Sequence, residues 1–569
     1  MTGIQKIQDS ITTAAGHGTP KVLMQTDFDD GPYTIDTPGK YKLGENIKIN
    51  FYKEKCDIFD VEVTGDDFFG FPAAIKIVAN GVDLDLSGNT LFQSPQDYCV
   101  QRFFALIQLN NSPFSIGHGP IPKSYTALKS AKNVKIHSGE LGLTSHQCIM
   151  GNDNVNILLQ DLNMCDFEVT AVTLNNVTGV GFKNVNIKRS IGISRWLPVS
   201  SYWSGLIFNY RLLKLAFIKY NICPTEQNSI INTNNEIRSY LAPILDIIYN
   251  NRTLTNIYRK VEYLVTKQYP TLCFLFNKGK CSTCGVHGFK ITGPNPSITN
   301  FHESITDDVP SNRKSEDVIL ENCKIQKLKS NITQTINVTY DKECVVIGAG
   351  LKLSINLLNI PLICSLIYTM NLLSKNKNIK SFLKTKINDD ILNFVTSGED
   401  CSGKIGLNGS TDIMGHINKG VMALRMGSVT DISMTNITIE DIENIGETVE
   451  NEKCIAEKYG LKEIDFSNTT FLEEKTYGGN YSIGAIFSGC ENIDINSCNI
   501  SKIKAPSGAV VGLAVNNKCK NIDIENLKVW DLTSGNKDFD SGSFVVDKDA
   551  QNINVKSMKL DPFSKTEPL

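Results

Sequence analysis

Residues 519–532 read CKNIDIENLKVWDL. Their apolar side chains, Ile522, Ile524, Leu527, Val529 and Leu532, recur at every second position, except that the interval stretches by one residue before Leu527 and again before Leu532. A period of two is the mark of a strand with one buried face. In this strand Ile522 and Ile524 face a core and Asp523 faces outward.

The stretch is one copy of a unit. Asn-(Val/Ile)-x-(Val/Ile) occurs at residues 133–136, 154–157, 184–187, 492–495, 521–524 and 552–555, with looser versions at 81–84, 317–320, 431–434 and 463–466. Steps between adjacent clear copies are 21, 30, 29 and 31 residues (133 to 154, 154 to 184, 492 to 521, 521 to 552), with one long gap in mid-chain. Each C-terminal copy follows an apolar strand (GAIF at 484–487, VVGLAV at 510–515, SFVV at 543–546) and precedes another (498–503, 527–532, 558–560). The block VMALRMGSVTDISMTNITIEDI at 421–442 has the same order. Three short strands per turn, repeated at a coil-length period, predict a parallel β-helix in which every coil presents the same inward pair to its neighbours. The Asn preceding each strand is read as a corner-former, because its short side chain bonds to nearby backbone and tolerates the left-handed conformation.

From residue 190 to about 311 the rhythm becomes helical: Leu206, Tyr210, Leu213 and Phe217; Ile237, Tyr240, Leu241, Ile244, Leu245 and Ile248; Leu254, Ile257, Tyr258, Val261, Leu264 and Val265. The predicted organisation is an N-terminal leader and cap (1–50), a first β-helical part (51–190), a mainly helical insertion (191–400) with a β coil at 315–328, a second β-helical part (401–560) and a tail (561–569). Residues 4–19 are expected to cover the open apolar end of the first coil. Tyr41, Leu43, Ile47 and Ile49 show strand alternation after the Pro38-Gly39 turn.

The chain has 569 residues and a formal charge of -3, so no global field attracts nucleic acid or an anionic membrane. Its first residues have no apolar core of signal-peptide length, so no secretion signal is read. Lys352, Asn356, Asn359 and Pro361 interrupt the apolar stretch 351–373, which argues against a membrane span. The 16 cysteines are irregularly spaced and are read mainly as small buried hydrophobes.

Two features, the opening segment GKYKLGENIKI (39–49) and the later NVxI and NIxI blocks, resemble the pectin-lyase-like right-handed parallel β-helix superfamily, over residues 31–190 and 401–560. The resemblance implies an all-β core, a right-handed parallel β-helix carrying the large helical insertion. Members of that superfamily include polysaccharide lyases, glycoside hydrolases, esterases, phage tailspikes and noncatalytic surface proteins. Abundant Ile, Asn and Lys in a cysteine-rich chain also resemble proteins of large DNA viruses that infect amoebae. That likeness places the protein in a virion; otherwise it is expected in the cytoplasm.

Four places carry candidate chemistry. Asp83 and Asp85 lie two apart on one strand and share its outward face, where paired carboxylates divide acid and base roles or bind a cation; alternating Asp residues also simply wet a coil, as Asp465, Asp494 and Asp523 do. Asp66 and Asp67 beside Phe68 and Phe69 suit a sugar-binding edge, although a turn before core aromatics has the same composition. Cys281, Cys284 and His287 form C-x2-C-x2-H, with Cys273 and His302 as further donors for a structural zinc, the one cofactor that the sequence raises. His137 has no carboxylate partner assignable from sequence and is read as a turn histidine. No lyase, pectinase or esterase signature maps onto these positions. The expected function is a noncatalytic structural or carbohydrate-recognising protein that forms a homo-oligomer and takes a polysaccharide or glycoprotein ligand. The alternative is a polysaccharide lyase or glycoside hydrolase using acidic residues on the β-helix surface.

Overall fold

Left-handed backbone recurs at five-residue intervals and shapes many of the coils. The computed structural model describes residues 3–50, 72–100, 104–111, 129–189, 243, 245–254, 256–257, 259–260, 286–293, 314–330, 338–340, 344–346, 352–354, 421–444, 469–471, 481–506, 508–516, 518–535, 541–561 and 564–565. In six coils φ lies between 45° and 63° at Asn133, Ser138 and Leu143; at Asn156, Asp161 and Asp166; at Asp317, Asn322 and Lys327; at Asp431, Asn436 and Asp441; at Asn492, Ser497 and Lys502; and at Asn521, Asn526 and Asp531. A left-handed residue bends the strand and shifts the inward alternation by one position. The two stretched intervals in CKNIDIENLKVWDL are therefore corners: inward positions resume at Leu527 after Asn526 and at Leu532 after Asp531. Ile522, Ile524, Leu527, Val529 and Leu532 are all buried.

The chain alternates between two parallel sheets, which form an all-β core. Among the described residues the larger sheet has 16 strands and the smaller 10. Long strands such as Val155–Phe167, Val429–Asn444, Glu491–Ala505 and Lys520–Ser534 belong to the larger sheet. Short ones, such as Gln147–Asn152, Thr170–Asn175, Ser482–Ser488 and Val510–Asn516, belong to the smaller. Strand pairing between successive coils is parallel throughout both sheets, so columns of equivalent residues run along the stack. One inward column contains Val134, Ile157, Val180, Val318, Ile432, Ile493, Ile522 and Ile553. At about 4.8 Å per coil, ten coils stack to roughly 50 Å.

Corner side chains bond along the same axis. The Asn492 amide donates to Asp431 at 2.8 Å, Asn521 to Asn492 at 3.0 Å, and Asn552 to Asn521 at 2.9 Å. The corner reading of these Asn residues therefore holds. Two copies of the sequence unit sit elsewhere: Asn154 is one residue before the paired strand and donates to the Leu109 and Ala131 carbonyls, while Asn156 pairs with Asn133. Asn184 occupies the next corner of its coil and donates to Asp161 at 2.7 Å. Similar words in the sequence thus fill different columns.

The regular stack extends into the range read as a helical insertion. Val286–Thr292 is a smaller-sheet strand between Thr170–Asn175 and Val421–Gly427, and Ser315–Glu321 and Lys324–Ser330 supply the expected coil near 315–328. Among the described residues of 191–400, helix occurs only between 243 and 260. Most of the helical periodicity falls outside the described residues.

The N-terminal segment is a helix, Gly3–Ala15, with Ile4, Ile7, Ile11 and Ala15 on its buried stripe. It ends at Gly16, whose φ of +73° suits a helix C-terminus. Instead of covering the end of the first coil, the helix crosses the outer face of the larger sheet. Its isoleucines pack on Leu158 and Ile319, and Gly3 meets Ile319 at one end while Ala14 meets Gly81 at the other. The first coil is closed by other means. Leu23 and Phe28 are buried in the main core, and the Gln25 side-chain amide bonds both ways to the backbone of Lys48 at 2.8 and 3.0 Å. That pairing blunts the edge strand Ile47–Ile49. Val546, Met558 and Leu560, on the last coil, stay exposed.

Candidate functional site

Strand register brings acidic residues and a histidine together on the outer face of the larger sheet. Asp83 and Asp85 lie on the strand Asn80–Asp85, and the next strand, Lys132–Thr144, places Lys135 opposite Asp83 and His137 opposite Asp85. His137 reaches both carboxylates: Nε2 is 2.9 Å from Asp83 Oδ1, and Nδ1 is 3.8 Å from Asp85 Oδ1 and 2.8 Å from Ser138 Oγ. Asp85 also accepts the Ser87 N–H at 2.7 Å, and in the following coil Asp161 accepts from Asn184 at 2.7 Å and from Gln160 at 2.8 Å.

The paired aspartates thus share the outward face, as expected, but His137 is not the partnerless turn residue that the sequence suggested. Its partners are 52 and 54 residues away in sequence, and only the coil register brings them together. Asp494 and Asp523 occupy the same outward column as Asp83.

Electrostatics limits what the pair can do. Partial burial works against ionised Asp83, but the His137 hydrogen bond and attraction to His137, Lys135 and Lys40 outweigh it and hold the carboxyl below its ordinary value. Asp161 is likewise lowered: burial opposes its charge, and the Asn184 and Gln160 hydrogen bonds prevail. A general acid needs the opposite shift, toward a proton retained near neutral pH. Asp83 and Asp85 also project from one strand on one side of any ligand, whereas glycosidase carboxylates flank the scissile bond.

The shift has a sign that can be tested. Because folded Asp83 lies below its ordinary value, the stability it supplies is present above the unfolded value, about pH 4, and is lost as pH falls through the folded value. Asp83→Asn is therefore expected to flatten the decline in stability between about pH 5 and pH 2, followed by urea unfolding at a series of pH values. An unchanged slope would show that Asp83 is not ionically coupled to the fold.

A second polar cluster lies buried at a corner between the sheets. Tyr98 Oη donates to Glu168 Oε2 at 2.5 Å, Arg189 Nη2 lies 3.5 Å from the same oxygen, and Arg189 Nη1 donates to the Lys329 carbonyl at 2.8 Å. Glu168 and Arg189 are 3% and 2% exposed, too enclosed for a polymer to reach. The sequence carries no signal for this triad, whose members come from three separate segments. It ties three segments together as a buried ion pair and hydrogen bond.

Asp66, Asp67, Phe68 and Phe69 lie outside the described residues, as do Cys281, Cys284, Cys273 and His302. His287 is described: it is buried on the strand Val286–Thr292, in register with Thr170 and Met422. Among the described residues no group of three or more His, Cys, Asp or Glu is placed to hold a metal ion. No helix among them is long and apolar enough to cross a membrane.

The remaining outer face of the larger sheet carries charge pairs along the stack, including Lys314 with Glu491 at 2.7 Å, Lys324 with Glu440 at 2.8 Å, and Lys329 with Glu443 at 3.1 Å. Compared with known proteins, the sequence matches no family model and no curated protein.

Proposed function

We propose that the protein is a noncatalytic structural scaffold, a right-handed parallel β-helix whose outer polar columns recognise carbohydrate. The observation that supports this reading best is the state of the acidic residues: Asp83, Asp85 and Asp161 are already engaged by His137, the Ser87 N–H, Asn184 and Gln160. They are arranged as a polar ladder in which the Asp83 and Asp161 carboxyls are held below their ordinary values. The corner column Asn133, Asn156, Asp317, Asp431, Asn492, Asn521 and Asn552, interrupted at Gly179, offers an extended polymer amide and carboxylate groups at the coil spacing. A glycan array probed with the full chain at low and high ionic strength is expected to give binding to extended polysaccharides. No binding under any of these conditions would leave only the structural part of the proposal.

The virion location follows from the compositional resemblance to proteins of amoeba-infecting DNA viruses. Detection of the chain by mass spectrometry of purified virions supports it, and its absence there removes it. The homo-oligomer is tested by sedimentation across a wide concentration range: a single species of 62.9 kDa throughout would exclude self-assembly in solution.

A lyase or glycoside hydrolase is the second reading, favoured by the placement of His137 within reach of both Asp83 and Asp85. It requires new reducing ends, or unsaturated ultraviolet-absorbing products, from incubated polysaccharides. Activity should fall in the Asp83→Asn and Asp85→Asn double variant, and full activity there would remove the pair from the mechanism.

A further inference from the structure

Cys490 and Cys519 stand on successive coils at the same corner. Each immediately precedes its long strand, where Glu491 pairs with Lys520, and the Lys520 N–H donates to the Cys490 carbonyl at 2.9 Å. The Cys490 N–H donates to Cys519 Sγ at 3.4 Å, while the Cys519 thiol donates to the Asn516 carbonyl at 3.0 Å and the Cys490 thiol to the Ser488 carbonyl at 3.5 Å. Neighbouring coils are about 4.8 Å apart, inside the roughly 4.4–6.8 Å between Cα atoms that a disulfide spans. Above and below, the same corner position holds Val429 and Ala550, both apolar.

Cys519 differs from the other described cysteines, whereas Cys490, like them, is pushed well up by burial. Cys498, on the same sheet, is stacked between Ile437 and Leu527, and burial pushes its thiol up to about 12. At Cys519 the hydrogen bond from Cys490 favours the thiolate and, with backbone N–H groups of Cys490 and Gly489, outweighs burial and draws the thiol down to about 7. Both sulfurs are enclosed, yet each sits next to a turn: Gly489 is half-buried and Lys518 is exposed.

We propose that Cys490 and Cys519 form a coil-to-coil disulfide under peroxide, with Cys519 as the attacking sulfur and Cys490 as the resolving one. In the first step the Cys519 thiolate attacks one oxygen of hydrogen peroxide, the O–O bond breaks, and the departing hydroxide takes up a proton, leaving a sulfenic acid. In the second, the Cys490 sulfur attacks the Cys519 sulfur, the S–O bond breaks, and hydroxide leaves as water with the Cys490 proton. Two thiols are oxidised, one peroxide is reduced, and two waters are formed. The bond links two coils near the exposed C-terminal end of the stack.

The full-length protein is titrated with hydrogen peroxide, alkylated under denaturing conditions, digested and analysed by mass spectrometry. The expected product is a cross-linked peptide pair containing Cys490 and Cys519, lighter by two hydrogens than the free peptides. It should appear before Cys498 loses its reactivity toward the alkylating reagent, and the oxidised protein should melt at a higher temperature. Cys490→Ser is expected to leave a sulfenic acid on Cys519 that dimedone traps, Cys519→Ser should leave Cys490 unmodified, and Cys498→Ser should leave the cross-link intact. Free Cys490 and Cys519 at peroxide levels that modify Cys498 would overturn the proposal, as would a cross-link to another cysteine. Trapping on Cys490 in the Cys519→Ser variant would overturn the assignment of roles.

Discussion

Replacing Ile524 with aspartate is expected to destabilise the protein by about 4 kcal/mol or more, at the extreme of single-residue effects. Ile524 is fully buried and lies in register with Ile495 on one side and Val555 on the other. A carboxylate there is enclosed between aliphatic side chains with no partner, so it either unfolds the coil or takes up a proton at a comparable cost. The neighbouring residue is an internal control. Asp523 faces outward and accepts a hydrogen bond from Asn554 at 2.8 Å, so Asp523→Asn should change stability by no more than about 0.5 kcal/mol. Urea denaturation of both variants separates the two positions; similar losses would mean that the inward and outward alternation is misassigned.

The second large effect is expected at Gly81, where the backbone of the N-terminal helix meets the sheet. Gly81 has φ of +93°, and a Cβ placed on it would lie 2.4 Å from the backbone of Ala14. Gly81→Val combines a β-branched residue in a conformation that L-residues avoid with a clash against backbone that cannot give way. The helix should detach from the face that carries Leu158 and Ile319, at a cost of about 2–4 kcal/mol. Limited trypsin digestion gives a direct readout, since Lys6 lies on that helix and its cleavage should be much faster in the variant. Unchanged cleavage at Lys6 with unchanged stability would show that the helix does not depend on this contact.

The coil repeat was legible because apolar alternation is a direct consequence of burial on one face of a strand. Ile522, Ile524, Leu527, Val529 and Leu532 announce it without any knowledge of what they touch. The five-residue corner rhythm was harder to read. Asn and Asp fill many corners, but Leu143, Lys327 and Lys502 hold the same left-handed conformation. Their side chains give no such signal, since the stack imposes the bend on them. Register was also hidden: Asn154 and Asn184 begin similar words, yet one precedes its strand and the other turns a later corner. The helix Gly3–Ala15 was legible as an apolar periodicity only in retrospect, because its partner, the unusual apolar outer patch of Leu158 and Ile319, comes from distant coils.

At the candidate site the same division holds. The outward face of Asp83 and Asp85 follows from strand geometry alone, whereas the bond from His137 needs the pairing of residues 80–85 with 132–137 across an intervening segment. The Tyr98, Glu168 and Arg189 cluster and the Cys490 and Cys519 pair are products of stacking, which no local pattern records. The strand Val286–Thr292 was obscured by the helical periodicities on its N-terminal side.

Hydrogen exchange resolved to individual amides is the most direct test of the stacked-coil architecture. The amides of Ile493, Ile495, Ile522 and Ile524 lie in strands paired on both sides and are expected to exchange slowly, in a cooperative unit with Ile432 and Met434 of the preceding coil. Those of the last coil, Ile553 and Val555, have no further strand beyond them among the described residues and should exchange faster. Uniformly rapid exchange at Ile493, Ile495, Ile522 and Ile524 would contradict the stack.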